Sequence, residues 1–372
     1  MEEVLKLGDV VSISKGKKHT SVFDSEKVKA KRYIQIEDLR NDFNLKYTNE
    51  TGVDVNSNDV VIAWDGANAG TIGFNLDGYI GSTLARLRIN NGKIDPKYLG
   101  TLLKGKFDYL RSNCTGATIP HISRASLENI PVPILPIKTQ QKIASILEQA
   151  DAARQKRKLA NELTEQFLKS VFLEMFGDPV RNEKGWNKIK FKEAVKNENA
   201  KRIPVKQGDR DNREGIYPYY GATGIIDTID DYKFEGEYLL IAEDGKNLLF
   251  RKKNNAFMAR GRFWVNNHAH VLSFNGNCNL RYLEFFLTSI DFRPFISGID
   301  QVKLNKENLD KIPVPYPPIS LQTQFAHIVE KAEALKAQYQ SSLQELENLY
   351  GSLSQKAFKG ELEFSKEVTR AE

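Results

Sequence analysis

The chain has 372 residues, of which 40% are hydrophobic and 27% charged, enough apolar material for two or three cored domains and too much for a disordered polymer. No apolar run approaches the roughly 20 residues of a bilayer span, and "MEEVLKLGDVVSISKGKK" lacks the pattern of a secretory signal. Two isolated cysteines, Cys114 and Cys278, point to a reduced, cytoplasmic compartment, and a net charge of +6 with a pI near 8.9 fits a polyanionic partner without demanding one.

The chain opens with "KLGDVV" and two basic clusters, "KGKKH" (Lys15 to His19) and "KVKAKRYIQ" (Lys27 to Gln35). "DVVIAWDG" (59–66) then runs apolar residues into Asp-Gly, the pattern of a buried strand ending in a tight turn. "GTLLKGKF" (Gly100 to Phe107) follows most of a phosphate-binding loop, but Phe107 stands where Mg²⁺ needs a hydroxyl, so a helix with exposed lysines is expected. After "TGATIPHISR" (Thr115 to Arg124), "IPVPILPI" leads in extended form into a helix predicted over Lys138 to Phe176. Proline fixes φ and disfavours helix just before it. The helix ends at "FGDP", where Gly177 suits a left-handed cap.

The second half repeats this plan. The stretch from Ile130 and the stretch from Ile312, "IPVPYPPI", share 11 of 22 residues at an offset of 182. A second helix is predicted over Ser320 to Phe358, with Gly360 as its cap. At 1.5 Å per residue each helix reaches roughly 55–60 Å. Apolar steps of 3 and 4 predict a seam of Ile143, Ile146, Ala150, Ala153, Ala160, Leu163, Phe167 and Val171 in the first helix, with a polar break at Arg157. Its counterpart in the second is Phe325, Ile328, Ala332, Leu335, Tyr339, Leu343 and Leu346. Packing of the two helices on each other is the simplest arrangement, and a homodimeric coiled coil is the alternative. The blocks upstream also correspond: "KLGDVV" with "KFKEAV" near Phe191, "DVVIAWDG" with "YLLIAEDG" (238–245), Gly116 with Gly298, and Leu127 with Leu309. The expected fold class is α+β, a pseudo-twofold tandem repeat. Two mixed, strand-rich blocks (1–137 and 179–319) are joined by two long helices (138–178 and 320–362), with a tail at 363–372.

Catalytic signatures are missing. His268 and His270 in "NHAH" lack a third metal ligand at a recognised spacing. Cys114 and His121 lack a group to orient them as a nucleophilic pair. The sequence holds no G-x-G-x-x-G, no N-P-P-[FY] or D-P-P-Y tetrapeptide, and no P-D…(D/E)-x-K triplet. A non-catalytic chain with no metal or cofactor of its own is expected.

What the blocks carry instead is basic residues mixed with amides and aromatics. Lys and Arg satisfy phosphates, while Arg, Lys, Asn and Gln read base edges. The candidates for DNA contact are Lys31, Arg32, Asn68, Thr118, His121 and Arg124 in the first half. In the second they are Tyr219, Lys246, Arg251, Arg260, Arg262, Asn266, Asn267 and Lys303. "ARGRFWVNNH" (Ala259 to His268) stands out because polar residues flank a buried-looking Phe263-Trp264-Val265. Two readers on a fixed frame would read two half-sites about one helical turn, ~34 Å, apart.

Over residues 4 to 363 the chain resembles the specificity subunit of type I restriction–modification systems. The resemblance rests on "LKLGDVVSISKGK", "DVVIAWDGANAGTIG", "TGATIPHISRASLENIPVPILPIKTQQKIASILEQAD" and "FLKSVFLEMFGDP". It continues through "YPYYGATG", "LLIAEDG", "LDKIPVPYPPISLQTQFAHIVEKAE" and "LSQKAFKGEL". It implies two target recognition domains, two conserved helical regions forming an antiparallel coiled coil, and a bipartite double-stranded DNA target with a non-specific gap. It also implies partners: two modification subunits that use S-adenosylmethionine to methylate adenine, and restriction subunits that use ATP and Mg²⁺. One departure stands out, since "TGATIPHIS" has no close counterpart in the second half, where "SGIDQVKLN" stands. The alternative is a coiled-coil scaffold, or a DNA-binding protein not tied to methylation.

Overall fold

The computed structural model describes residues 3–27, 29–90, 92–116, 118–298, 301–359 and 361–362. The expected cap at Gly360 and the tail at 363–372 lie outside the described residues. The chain forms two compact units, one of residues up to Lys158 together with those from Ser341, the other Leu159–Gln340. Each unit therefore holds one strand-rich block and part of both long helices, Ile137–Phe176 and Ile319–Phe358.

In the first unit, strand Asp59–Ala63 is buried along its whole length. It lies in a four-stranded sheet with Val11–Lys15, Leu84–Ile89 and Ile72–Phe74. A second sheet of five short strands includes Lys31–Ile34 and Gly78–Ile80. In the second unit, Phe234–Ala242 and Ala256–Val265 run antiparallel inside a six-stranded sheet. The stretch from Gly100 to Phe107 is helical at both ends, as expected, running from the helix Pro96–Lys104 to the start of Phe107–Ser112, and Gly100 packs so closely on Phe74 that a Cβ would lie 2.2 Å from its ring.

The repeated proline-rich lead-in does the same work in both units. Pro131–Ile134 pairs antiparallel with Glu3–Lys6, and Pro313–Pro315 with Lys188–Lys190. The flanking prolines suit these short two-stranded edges, since an edge tolerates a missing donor. The backbone N–H of Leu7 donates to Ile130 O at 2.9 Å, and that of Phe191 to Ile312 O at 2.9 Å, so "KLGDVV" and "KFKEAV" occupy equivalent places. A fully buried glutamine then clamps each helix start. Gln140 accepts from the N–H of Asp95 (2.8 Å) and donates to Lys93 O and Leu135 O (both 2.7 Å). Gln322 accepts from Asn279 N–H (2.8 Å) and donates to Pro317 O (2.8 Å). Gln140→Ala strands three backbone groups, the Leu135 carbonyl buried and the other two partly so, and about 1–3 kcal/mol of stability should go with them. Urea unfolding of the full chain checks this, and a loss under 0.5 kcal/mol would refute the clamp.

The helices pack antiparallel within each unit. In the first, Arg154 lies 4.5 Å over the Tyr350 ring and Lys158 lies 3.7 Å from Glu347, so rising numbers in one helix meet falling numbers in the other. Ile143, Ala144 and Leu147 share a core with Ala357. In the second, Leu168, Phe172 and Phe176 pack with Phe325, Val329 and Ala332, and Glu165 pairs with Lys336. Each unit thus combines the start of one helix with the end of the other.

Part of the expected seam is corrected. Ile143, Phe325 and Ala332 are buried, and Ile146, Ala150, Ile328 and Leu346 partly so. Leu163 (51%), Phe167 (53%) and Leu335 (40%) are exposed instead. From Arg157 the seam runs through Asn161, Thr164, Leu168, Phe172 and Phe176, one position later than the apolar residues suggest. Two polar residues occupy the seam here, which a search for apolar spacing passes over.

Candidate nucleic-acid interface

Each unit builds the same corner where its buried strand meets Asp-Gly. In the first unit, Gly66 N–H donates to Pro120 O (2.8 Å) and Ile122 N–H to Trp64 O (2.9 Å). Thr115 and His121 exchange two backbone bonds of 2.8 Å, which folds the 115–121 loop against the corner. In the second unit, Gly245 N–H donates to Val302 O (3.0 Å) and Leu304 N–H to Glu243 O (2.8 Å). Ser297 and Lys303 exchange two bonds of 2.8 Å. The pattern is the same bond for bond. Ser297, Val302, Lys303 and Leu304 therefore take the places of Thr115, Pro120, His121 and Ile122, a likeness carried by backbone bonds rather than by side chains.

Gly116 (φ +92°) and Gly298 (φ +85°) turn these two loops. A Cβ would lie 2.4 Å from Ile119 O at the first and 2.2 Å from Gln301 O at the second. Left-handed backbone plus such clashes leaves room only for glycine. Gly298→Ala should weaken DNA binding about tenfold or more by deforming one loop, while the fold survives, since strain of this kind costs of order 1–3 kcal/mol. Binding assays with a melting control test it, and unchanged affinity would refute it.

The corners carry charge. Asp65 accepts from Lys15 Nζ at 2.6 Å and meets His121 Nδ1 at 2.6 Å. Burial works against its ionisation, yet Lys15 and His121 outweigh it and hold the carboxyl below its usual range. Arg111 donates to Gly66 O (3.3 Å), and Arg40 to Asn68 Oδ1 (2.6 Å). In the second unit Asp244 meets His268 Nδ1 at 2.7 Å and bridges to the Lys303 backbone. Asn266 Oδ1 accepts from His268 N–H at 2.8 Å. Arg202 donates to Glu243 (2.7 Å) and to the Asn267 carbonyl (3.4 Å). His270 is buried, its Nε2–H donating to Leu304 O (2.7 Å) and its Nδ1 accepting from the Asn199 amide (2.8 Å), and desolvation pushes its pKa down, so it is structural.

The structure thus brings together Asn68, Thr118 and His121 around one corner, and Lys246, Asn266, Asn267 and Lys303 around the other. Other candidates lie elsewhere. Exposed Lys31 sits 5.1 Å over Tyr79 in the five-stranded sheet, and neighbouring Arg32 is tied to Asp38 (2.7 Å) and Asp42. Arg124 pairs with Glu128 at 2.8 Å on the next helix, Arg124–Glu128. Arg251 ends the helix Asn247–Phe250 with φ +51° and donates to Thr288 O.

Three candidates need correction. Tyr219 is fully buried, its strand paired in parallel with Trp264 and its hydroxyl bonded to Val205, so it cannot reach a ligand. Arg260 and Arg262 form a cross-strand ladder with Glu237 (2.8 Å) and Glu235 (2.9 Å), and Arg260 also reaches Glu333 at 3.6 Å. These arginines are therefore ion-paired rather than free, though their side chains stay 42% and 51% exposed. Sequence reading missed Asp65, Asp244, Arg40 and Arg111, and held Lys15 and His268 only as members of "KGKKH" and "ARGRFWVNNH"; the paired Asp-Gly corners were the available signal, read only as turns.

Cys114 donates to Leu110 O, while His121 serves Asp65, so they form no nucleophilic pair. No group of three or more metal-ligating side chains occurs among the described residues, and no described helix is long and apolar enough to cross a membrane. A pH response follows from Glu198, wedged against Lys201 and Lys196 (both 2.9 Å) and Ser273 (3.1 Å). Burial raises its pKa, but these partners win and lower it from 4.5 to about 2. A depressed carboxylate contributes stability above its unfolded pKa and loses it as pH falls through its folded one. Acid unfolding between pH 4.5 and 2 should therefore be shallower in Glu198→Gln than in the parent. Identical acid profiles would contradict it.

Two α+β blocks carrying one such corner each, with the ends of two antiparallel helices, define a duplicated module. Residues 2–165 and 183–348 both match the type I restriction modification DNA specificity domain, and the chain belongs to that family. It is 41% identical over 140 residues to a product of Haemophilus influenzae described as a type I restriction enzyme specificity subunit, covering 38% of this chain and 35% of that one. It is 31% identical over 207 residues to a type I restriction enzyme specificity subunit of Methanocaldococcus jannaschii, covering 52% and 49%. The chain thus spans about half or less of these relatives. In fold it is similar to the S subunit of a Type-I restriction-modification system from M. genitalium, with a TM-score of 0.67, 16% identity and 96% of each chain covered.

Proposed function

We propose that this chain is the non-catalytic DNA-addressing subunit of a type I restriction–modification complex, each unit reading one half of a bipartite target. The observation that supports it is the corner itself: one backbone pattern built twice, with His121 at the place held by Lys303 in the other unit. A shared scaffold with different side chains suits two readers of different sequences. The two long helices act as the ruler that sets the gap. Leu159, Leu163, Phe167 and Leu173 leave an apolar row on the first long helix, suited to one of two modification subunits. Those subunits bring S-adenosylmethionine, and restriction subunits bring ATP and Mg²⁺; the assembly works in the cytoplasm.

The test is DNA binding by this chain assembled with its modification subunits. Affinity for target duplex should fall steeply with salt as counterions are released, and exceed that for random duplex. Equal, salt-insensitive binding to both would favour a scaffold.

A further inference from the structure

Each corner carries a mostly buried carboxylate, and each covers it with an imidazole. The two imidazoles arrive by different routes. His121 belongs to the 115–121 loop, whose counterpart in the second unit supplies Lys303 at that place. His268 comes instead from the turn between strands Ala256–Val265 and Ala269–Ser273. The end state is the same: Nδ1 at 2.6 and 2.7 Å from the aspartate. The aspartates are mostly buried, with 16% and 24% of their side chains exposed, while the rings are 46% and 50% exposed. Neither Nε2 has a hydrogen-bond partner among the described residues. A bare carboxylate there would repel phosphate, whereas an imidazolium that donates Nδ1–H inward still has Nε2–H to give outward.

We infer that His121 and His268 contact DNA phosphodiester oxygens as imidazolium ions positioned by Asp65 and Asp244. The inference rests on the proposed DNA-addressing role. The charged groups around His121 are Asp65, Lys15 and Arg111; those around His268 are Asp244, Lys303, and the Arg202–Glu243 pair, with Lys246 on the adjoining loop. Histidine is the side-chain type whose ordinary charge change falls between pH 5 and 8. Lys303 holds the His121 place in the second unit through its backbone bonds.

The experiment uses the full chain assembled with its modification subunits and a fluorescent duplex carrying the mapped target, at constant ionic strength from pH 6 to 8.5. Parent affinity should fall about tenfold or more as pH rises, since a charged donor to phosphate is lost at each corner. The double variant His121→Gln/His268→Gln should bind about tenfold more weakly at pH 6, with a flattened profile. His121→Lys, which copies Lys303, should keep parental affinity at pH 6 and retain more of it at pH 8. A double variant that tracks the parental profile would overturn the inference, as would parental affinity that rises with pH, the mark of a neutral Nε2 accepting from a base. A parent that binds no target at any pH would instead sink the DNA-addressing role.

Discussion

Four residues inserted after Gln155 should cut target methylation at least 100-fold, because the insertion offsets one antiparallel helix against the other. Four residues advance a helix by about 6 Å and turn it about 40° beyond a full turn. Contacts such as Lys158 with Glu347 and Arg154 with Tyr350 hold the helices in register, so a change to one helix alone breaks the match. Each corner keeps its own backbone bonds. Seven residues added to both helices, after Gln155 and after Asn348, restore register and lengthen the frame by ~10 Å, about three base pairs. Methylation should return at a target with both half-sites unchanged and a gap about three base pairs longer. An altered half-site would refute the division of labour between blocks and ruler.

Arg281→Ala should cost about 3–5 kcal/mol, the other large effect, since it leaves a buried charge without its partner. The guanidinium is 7% exposed and bonds Glu284 at 2.6 Å and Glu333. Burial pushes the Glu284 carboxyl up despite Arg281 beside it, so this ion pair is already strained by desolvation. Removing the arginine pushes it further up, so Glu284 should hold its proton to higher pH in the variant than in the parent. Arg281→Met with Glu284→Leu should recover most of the loss, because the charges go together. Calorimetry of the three proteins decides it; a single variant as stable as the parent would contradict the account.

The long helices and their lead-ins were legible because proline, apolar spacing and an internal repeat are local signals. So were the strands ending at Asp65 and Asp244, each an apolar run before Asp-Gly. The candidate site was legible only in part. Arg260 and Arg262 look like free readers until strand register sets Glu237 and Glu235 across from them. Tyr219 looks like a surface aromatic until its strand pairs with Trp264. His268 meets Asp244 across 24 positions of sequence, a distance set by tertiary folding alone. The equivalence of His121 and Lys303 rests on main-chain bonds that side chains do not encode.

The central claim is that this chain supplies the address, and adenine-methylation mapping tests it most directly. DNA would be sequenced by a long-read method from cells expressing this chain with its neighbouring modification subunit, and from the same cells without this chain. The account predicts an interrupted two-part motif methylated only when the chain is present. The same motif methylated in its absence, with the modification subunit verified as active, would contradict it.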